Sequence, residues 1–265
     1  MRGLNEKILK VAIEAALEAG RLQTKYLGRA HRVRFKGEIN IVTEVDTLCE
    51  DRIMRRIRRT FPSHDILTEE SGAFNRPSEY KWIIDPLDGT VNYAHGYPLF
   101  CVSIGVEHRG RLIAGVVFEP NRGELFRAVA GGGAFRNDRR ILVSGERRLK
   151  RSLLATGFAY NVTTKLENNI NHFRNFIMKA QAVRRDGVAA VDLCYVACGR
   201  YEGFWELGLC PWDVAAAALI VQEAGGSVSL FDGAPLNIYK NEICASNGKI
   251  HRPMLEVIRR GRRRP

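Results

Sequence analysis

Asp85-Pro86-Leu87-Asp88-Gly89-Thr90 is the stretch that most narrows what this chain can fold into. The run before it, Tyr80-Lys81-Trp82-Ile83-Ile84, is aromatic and β-branched between polar neighbours, and reads as a short buried strand. Two carboxylates therefore stand three residues apart where that strand ends. Pro86 fixes one backbone angle between them, and Gly89 permits a sharp turn. Carboxylates crowded in this way repel each other unless a cation, a proton or a basic side chain neutralises them. A hard divalent cation answers that need, because Mg²⁺ takes oxygen ligands and accepts only a few from protein.

Further acids occupy similar settings. Glu69 and Glu70 follow another short strand-like run, Asp65-Ile66-Leu67-Thr68. Asp213 ends Cys210-Pro211-Trp212-Asp213, at the head of a strongly apolar helix over 214–224. Asp46 closes Ile41-Val42-Thr43-Glu44-Val45-Asp46, at the entry to another helix. Taken singly, Asp88-Gly89 is a turn, Glu69-Glu70 a solvated loop pair, and Asp46 and Asp213 are helix caps. The combination points to metal chemistry.

That combination resembles the inositol monophosphatases, lithium-sensitive, magnesium-dependent phosphomonoesterases related to fructose-1,6-bisphosphatases and 3'-phosphonucleotide phosphatases. The family's first signature matches the run from Trp82 to Tyr93. Its second matches Trp212-Asp213-Val214-Ala215-Ala216-Ala217 and continues through Glu223-Ala224-Gly225-Gly226. Glu69-Glu70-Ser71-Gly72 matches the acidic loop, and Lys36 with Asp46 matches the upstream pair. The likeness runs from the first helix to about Ser246. It implies an α-β-α-β-α layered sandwich, two to three Mg²⁺ ions per active site and a homodimer.

Residue by residue, the resemblance implies that Glu69, Asp85 and the Leu87 carbonyl hold a first ion. Asp85, Asp88 and Asp213 hold a second, and Glu69 also touches a third, weaker one. Thr90 with Asp46 would orient and deprotonate the attacking water, and the amides of Gly89 and Thr90 would receive the phosphate. Gly187, Ala189, Glu206 and Asp213 match positions that contact the alcohol part of the substrate. Arg184 and Arg185, just before that loop, are candidates for pairing with a second phosphate or for a dimer interface. The family usually has Ser or Thr after the loop glycine, where this chain has Val188. A hydroxyl lost from substrate would alter selectivity for inositol, whereas one lost from a helix cap would change little.

The chemistry stands without the family. Phosphate monoesters hydrolyse extremely slowly in water. Two ions about 4 Å apart lower the barrier by activating water and stabilising the leaving oxygen. The sequence has no Gly-x-Ser-x-Gly elbow and no Cys-x5-Arg loop, so in-line attack by water is expected. The resemblance implies inositol 1-phosphate as the leading substrate. Fructose 1,6-bisphosphate or another sugar phosphate is the alternative, while the short loop after Glu70 fits a nucleotide substrate less well.

The organisation expected is an N-terminal half over 1–150 carrying most ligands, a C-terminal half over 151–255 with Asp213 and the substrate loop, and a basic tail over 256–265. Leu4, Ile8, Val11, Ala12, Ala15, Ala19 and Leu22 recur at helical spacing. A second helix after Asp46 turns Cys49, Ile53 and Ile57 inward and Arg55, Arg56, Arg58 and Arg59 outward. Strands are expected over 82–85, 101–107, 112–119 and 124–130, with a hairpin at Arg109-Gly110 and a tight turn at Gly131-Gly132-Gly133. Later come strands over 152–156, 227–231 and 242–245. Helices are expected over 168–180, with Phe173, Phe176 and Ile177 inside, and over 191–198. Cys194 and Cys198 lack a second ligand pair and read as buried thiols. No apolar run resembles a signal peptide or spans a bilayer, so the expected setting is the cytoplasm without membrane contact. Net charge is +12, and 31 of the 41 basic residues are Arg. That excess can steer anionic substrates or bind nucleic-acid phosphates. A contact with RNA or the transcription machinery through the arginine face and tail is therefore the alternative of another class.

Overall fold

The computed structural model describes residues 2–29, 33–35, 41–160, 162–163 and 168–261. Lys36 and the terminal Arg262-Arg263-Arg264 lie outside the described residues.

The spacing of small apolar residues in the first helix sets the outermost layer. Ile8, Val11, Ala12, Ala15, Ala16 and Ala19 of α1 (Arg2–Tyr26) are all buried. They pack with Cys49, Ile53 and Ile57 of α2 (Glu44–Thr60) against one face of a sheet. A short ribbon, β1 (Val33–Phe35) with β2 (Ile41–Thr43), joins the two helices. The sheet itself collects β3 (Asp65–Thr68), β4 (Gly72–Ala73), β5 (Tyr80–Asp88), β6 (Cys101–His108), β7 (Arg111–Glu119), β8 (Glu124–Val129), β9 (Gly133–Arg136) and β10 (Arg139–Ile141). Its order is β10-β9-β8-β7-β6-β5-β3-β4, antiparallel throughout except where β3 runs parallel to β5. A one-turn helix, α3 (Thr90–Ala94), follows β5.

The second sheet has the order β12-β11-β13-β15-β14, from β11 (Leu153–Thr156), β12 (Ala182–Arg184), β13 (Gly203–Leu207), β14 (Ser227–Ser229) and β15 (Glu242–Ser246). Helices α5 (Ala189–Ala197) and α6 (Pro211–Glu223) fill the space between the sheets, and α4 (Ile170–Ile177) with α7 (His251–Gly261) covers the far face. The layers are thus α1/α2, eight strands, α5/α6, five strands and α4/α7, the expected sandwich.

Helix α6 shows why this arrangement suits the sequence. A helix apolar on every side belongs between two surfaces, and residues 214–221 are all buried. Its alanines let it sit directly on the first sheet. A side chain added at Gly115 of β7 would meet the Ala216 carbonyl at 2.4 Å, so glycine there is required for the approach. This contact seats Asp213, in the first turn of α6, against the end of β5.

Several expectations change in detail. Helix α4 is shorter than 168–180, and Ile177, its last residue, is exposed because no other described element covers it. The stripe under cover is His172, Phe173 and Phe176. Strands β1, β2, β4, β10, β12 and β13 and helix α7 are not announced by the sequence spacing. The described part of the expected basic tail, 256–261, is the end of α7, where Val257 and Ile258 pack into the core. The arginine face of α2 is partly neutralised, since Arg56 pairs with Glu14 and Glu18 and Arg55 with Asp51. The glycine turn at 131–133 does join two strands, and its Gly131 and Gly133 N–H groups donate to the Glu223 carboxylate at 2.7 Å each. The six cysteines are free thiols. No described helix is long and apolar enough to cross a membrane.

Candidate active site

In a regular strand, residues three apart point to opposite faces. Asp85 and Asp88 escape that rule because β5 carries a bulge. Asp85 pairs with Ser103 and Asp88 with Cys101, so the two residues 86–87 stand opposite Val102 alone. The extra residue resets the alternation and puts both carboxylates on the face turned toward α5 and α6. Leu87 faces the other way, into the α1/α2 core. Pro86, which has no N–H to offer a ladder, falls in the bulge where none is required. Its carbonyl accepts from the buried Gln23 side chain of α1 at 2.9 Å.

Glu69 arrives by another route. Because β3 and β5 are parallel, with Thr68 level with Ile84, their ends coincide and the next residues, Glu69 and Asp85, emerge side by side. The Glu69 N–H donates to the Ile84 carbonyl at 3.2 Å. Asp46 and Asp213 each sit at the third position of a helix and accept from the backbone N–H of the capping residue, Thr43 at 2.8 Å and Cys210 at 2.7 Å. Neither is itself the N-cap. This capping geometry orients a carboxylate with one oxygen and leaves the other for the site. In Asp46 that second oxygen accepts from the Thr90 hydroxyl at 3.1 Å. Asp88 is held by the Ala190 N–H of α5 at 2.8 Å.

These groups surround a cleft of about 220 Å³. Glu69, Asp85, Leu87, Asp88, Gly89, Thr90, Gly187, Ala189, Glu206 and Asp213 all line it, and Asp46 stands behind Thr90. Arg184 does not line it. Arg184 ends the edge strand β12 with its side chain exposed, and the neighbouring Arg185 reaches the cleft instead. Gly89 is the N-cap of α3 at φ 93, and an added Cβ would meet Val188 Cγ2 at 2.8 Å. Val188 itself is buried at the N-cap of α5, packed on Gly89 and off the cleft wall. A hydroxyl at this position would stand at the N-cap of α5 and off the cleft wall. Phe158, Tyr160, Trp212 and Asn92 also line the cleft and escaped the sequence reading. Gly157 offered a signal: a side chain there would occupy the Glu206 carboxylate, 2.3 Å away.

Burial and crowding push these acids upward. Burial, then Glu69, Asp88 and Asp213, raises Asp85 well above the ordinary carboxylate range. Burial raises Asp88 to about 7 against the pull of Ala190, and Asp213 rises through burial and Asp88. Burial and Asp88 lift Glu206 to about 8, with Arg185 opposing. Asp46 reaches about 6 through burial, held down by its bonds from Thr43.

Five carboxylates thus face one another, with Arg185 the single basic residue among the described residues that line the cleft. That set of hard, mutually repelling oxygens fits Mg²⁺. Among the described residues no three carboxylate, thiol or imidazole groups are already drawn within ligand distance of one point.

A profile of the inositol monophosphatase family matches residues 4–262. The inositol-1-monophosphatase of Synechocystis sp. is 46% identical over 252 residues, covering 94% of this chain and 88% of that protein. The Nus factor SuhB of Pseudomonas aeruginosa is 44% identical over 260 residues, covering 96% of each. The solved inositol monophosphatase of Anabaena matches with a TM-score of 0.89 at 46% identity over 96% of both chains. Since the likeness takes in both acidic signatures and nearly everything around them, the chain belongs to the inositol monophosphatase family of phosphoric monoester hydrolases.

Proposed function

We propose that this chain hydrolyses a small phosphate monoester, inositol 1-phosphate before others, in a Mg²⁺-dependent reaction without a covalent intermediate. The observation that carries this reading is the meeting of Glu69, Asp85, Asp88 and Asp213 in one cleft beside the Thr90–Asp46 pair. Ions held by Glu69, Asp85 and the Leu87 carbonyl, and by Asp85, Asp88 and Asp213, would supply an activated water and charge neutralisation at the leaving oxygen.

The chain's own groups do the rest. The Thr90 hydroxyl has a single proton and two acceptors in reach, Asp46 Oδ1 at 3.1 Å and the Leu87 carbonyl at 3.0 Å. While it donates to Asp46, its lone pairs face the cleft and can accept from water, so a proton leaving water passes through Thr90 to Asp46. With a pKa of about 6, Asp46 is largely ionised at neutral pH and ready to accept it. The Gly89 and Thr90 amides, at the start of α3, would receive phosphate oxygens. Glu206, Gly187, Ala189 and Asp213 offer contacts for the alcohol. Cys101 and Cys194 are buried with their thiols pushed up, which leaves them poor nucleophiles.

The test is phosphate release with and without Mg²⁺ from inositol 1-phosphate, fructose 1,6-bisphosphate, 3'-phosphoadenosine 5'-phosphate and glycerol phosphate. Mg²⁺-dependent, lithium-inhibited turnover of inositol 1-phosphate is expected. Silence across the panel from folded, metal-loaded protein would overturn the reading. Arg185 at the cleft supports a second reading in which a bisphosphate is also accepted, the added anion pairing with its guanidinium. The Nus factor relatives support a second role in contact with the transcription machinery, tested by salt-sensitive RNA binding that persists in Asp85→Asn. In keeping with the family resemblance we take the chain to act as a homodimer, which light scattering against the chain mass of 29.8 kDa reads directly.

A further inference from the structure

Glu50 lies one helical turn beyond Asp46 on α2 and is 2% exposed. Residues four apart share a helix face, so α2 directs two carboxylates toward the site from the same side. Asp46 takes the Thr90 hydroxyl, from the segment after β5. Glu50 takes three donors from the segment at the end of β3. Its Oε2 accepts from the Thr68 hydroxyl at 2.5 Å and the Glu70 N–H at 3.1 Å, and its Oε1 accepts from the Ser71 hydroxyl. Those three residues bracket Glu69.

A buried carboxylate is costly unless its oxygens are bonded, and here two hydroxyls and one amide do the bonding. A core filler would call for an apolar side chain, like Cys49, Ile53 and Ile57 on the same helix. The partners of Glu50 belong instead to a turn whose one cleft-lining residue is Glu69. We propose that Glu50 is a positioning residue: it fixes residues 68–71 so that the Glu69 carboxylate is already turned toward Asp85 when the ion arrives, and so sets the affinity of the metal site. Asp46 and Glu50 then act as a bracket, one helix face aligning the two loops that carry the acids. This inference rests on the metal-dependent reading above.

Glu50→Gln keeps the volume and replaces one acceptor oxygen by an NH₂ donor. Partners that orient metal ligands typically contribute about 10–100-fold in affinity or activity, and a loss in that range is expected in Mg²⁺ binding, measured by calorimetry on EDTA-treated protein. Amide exchange at residues 69–71 should quicken without metal, and the turnover number should largely return at saturating Mg²⁺. A merely structural residue would lower the melting temperature without shifting the Mg²⁺ requirement. Ser71→Ala removes one donor at an exposed position and cannot open the core. It should weaken Mg²⁺ binding in the same direction even if Glu50→Gln folds poorly. Wild-type Mg²⁺ affinity and exchange in both variants would overturn the proposal alone. A wild-type protein that binds no Mg²⁺ would overturn it together with the metal reading.

Discussion

Replacing Asp88 by Asn should stabilise the metal-free protein while abolishing its activity. The Asp88 carboxyl titrates at about 7 in the fold against an ordinary 3.8. That gap of about three tenfold steps, at ~1.4 kcal/mol each, places the ionised form about 4 kcal/mol out of favour in the folded state. Because the folded pKa is raised, the bound proton contributes stability that is complete below 3.8 and is lost as pH climbs through 7. Asn carries no charge and avoids this loss. Its carbonyl can still accept from the Ala190 N–H, whose pull on the carboxylate is already contained in the titration at about 7. The net gain at pH 8 is therefore about 4 kcal/mol, or roughly 8–16 °C in melting temperature for a chain of this size. The assay is thermal melting in EDTA from pH 4 to 8.5, repeated with Mg²⁺. The variant should separate from wild type progressively as pH rises and meet it near pH 4. Mg²⁺ should raise the wild-type melting temperature and barely move the variant's, and phosphate release should vanish. A variant less stable than wild type at pH 8 without metal would refute the reasoning, because burial, with Glu69 beside it, would then not be disfavouring the ionised Asp88 carboxylate.

Thr90→Ala should lower the turnover number by about 100-fold or more with little change in KM, as general-base assistance typically contributes about 10²–10⁴-fold, and Thr90→Ser should restore much of it. Arg185→Ala should raise KM for fructose 1,6-bisphosphate about tenfold, the equivalent of ~1.4 kcal/mol, and leave that for inositol 1-phosphate nearly unchanged. Arg184→Ala, on the exposed edge of β12, should affect neither in steady-state assays. Val188→Thr should keep turnover within about threefold and raise denaturant stability by about 0.5–1 kcal/mol, by supplying the cap oxygen that α5 lacks. A tenfold change in selectivity there would mean the side chain reaches substrate.

The acids themselves were legible in the chain, and so were the elements carrying most of them. The reason is local: strand runs such as 80–84, the apolar stretch 214–221 and the Arg109-Gly110 turn declare themselves through side-chain period and turn chemistry within a few residues. Elements whose cues are short or mixed did not. Strand β13, which carries Glu206, is five residues lying between two helices, and α7 was obscured by its arginines. Burial at Val188 and exposure at Ile177 were equally hidden, since both depend on what another part of the chain lays against them.

Residue types and spacing thus determined by themselves that this chain carries a set of crowded carboxylates at the ends of apolar strands and helices able to bury them. Tertiary structure alone decided which donors meet. The bulge that turns Asp85 and Asp88 to one face exists only in the register of β5 against β6, and Glu69 stands beside them only because β3 runs parallel to β5. The choice of Arg185 over Arg184 follows from which of two adjacent side chains leaves the end of β12 toward the cleft. Strand register and helix placement are settled by hydrogen bonds and packing between residues far apart in the chain, and no local spacing records them.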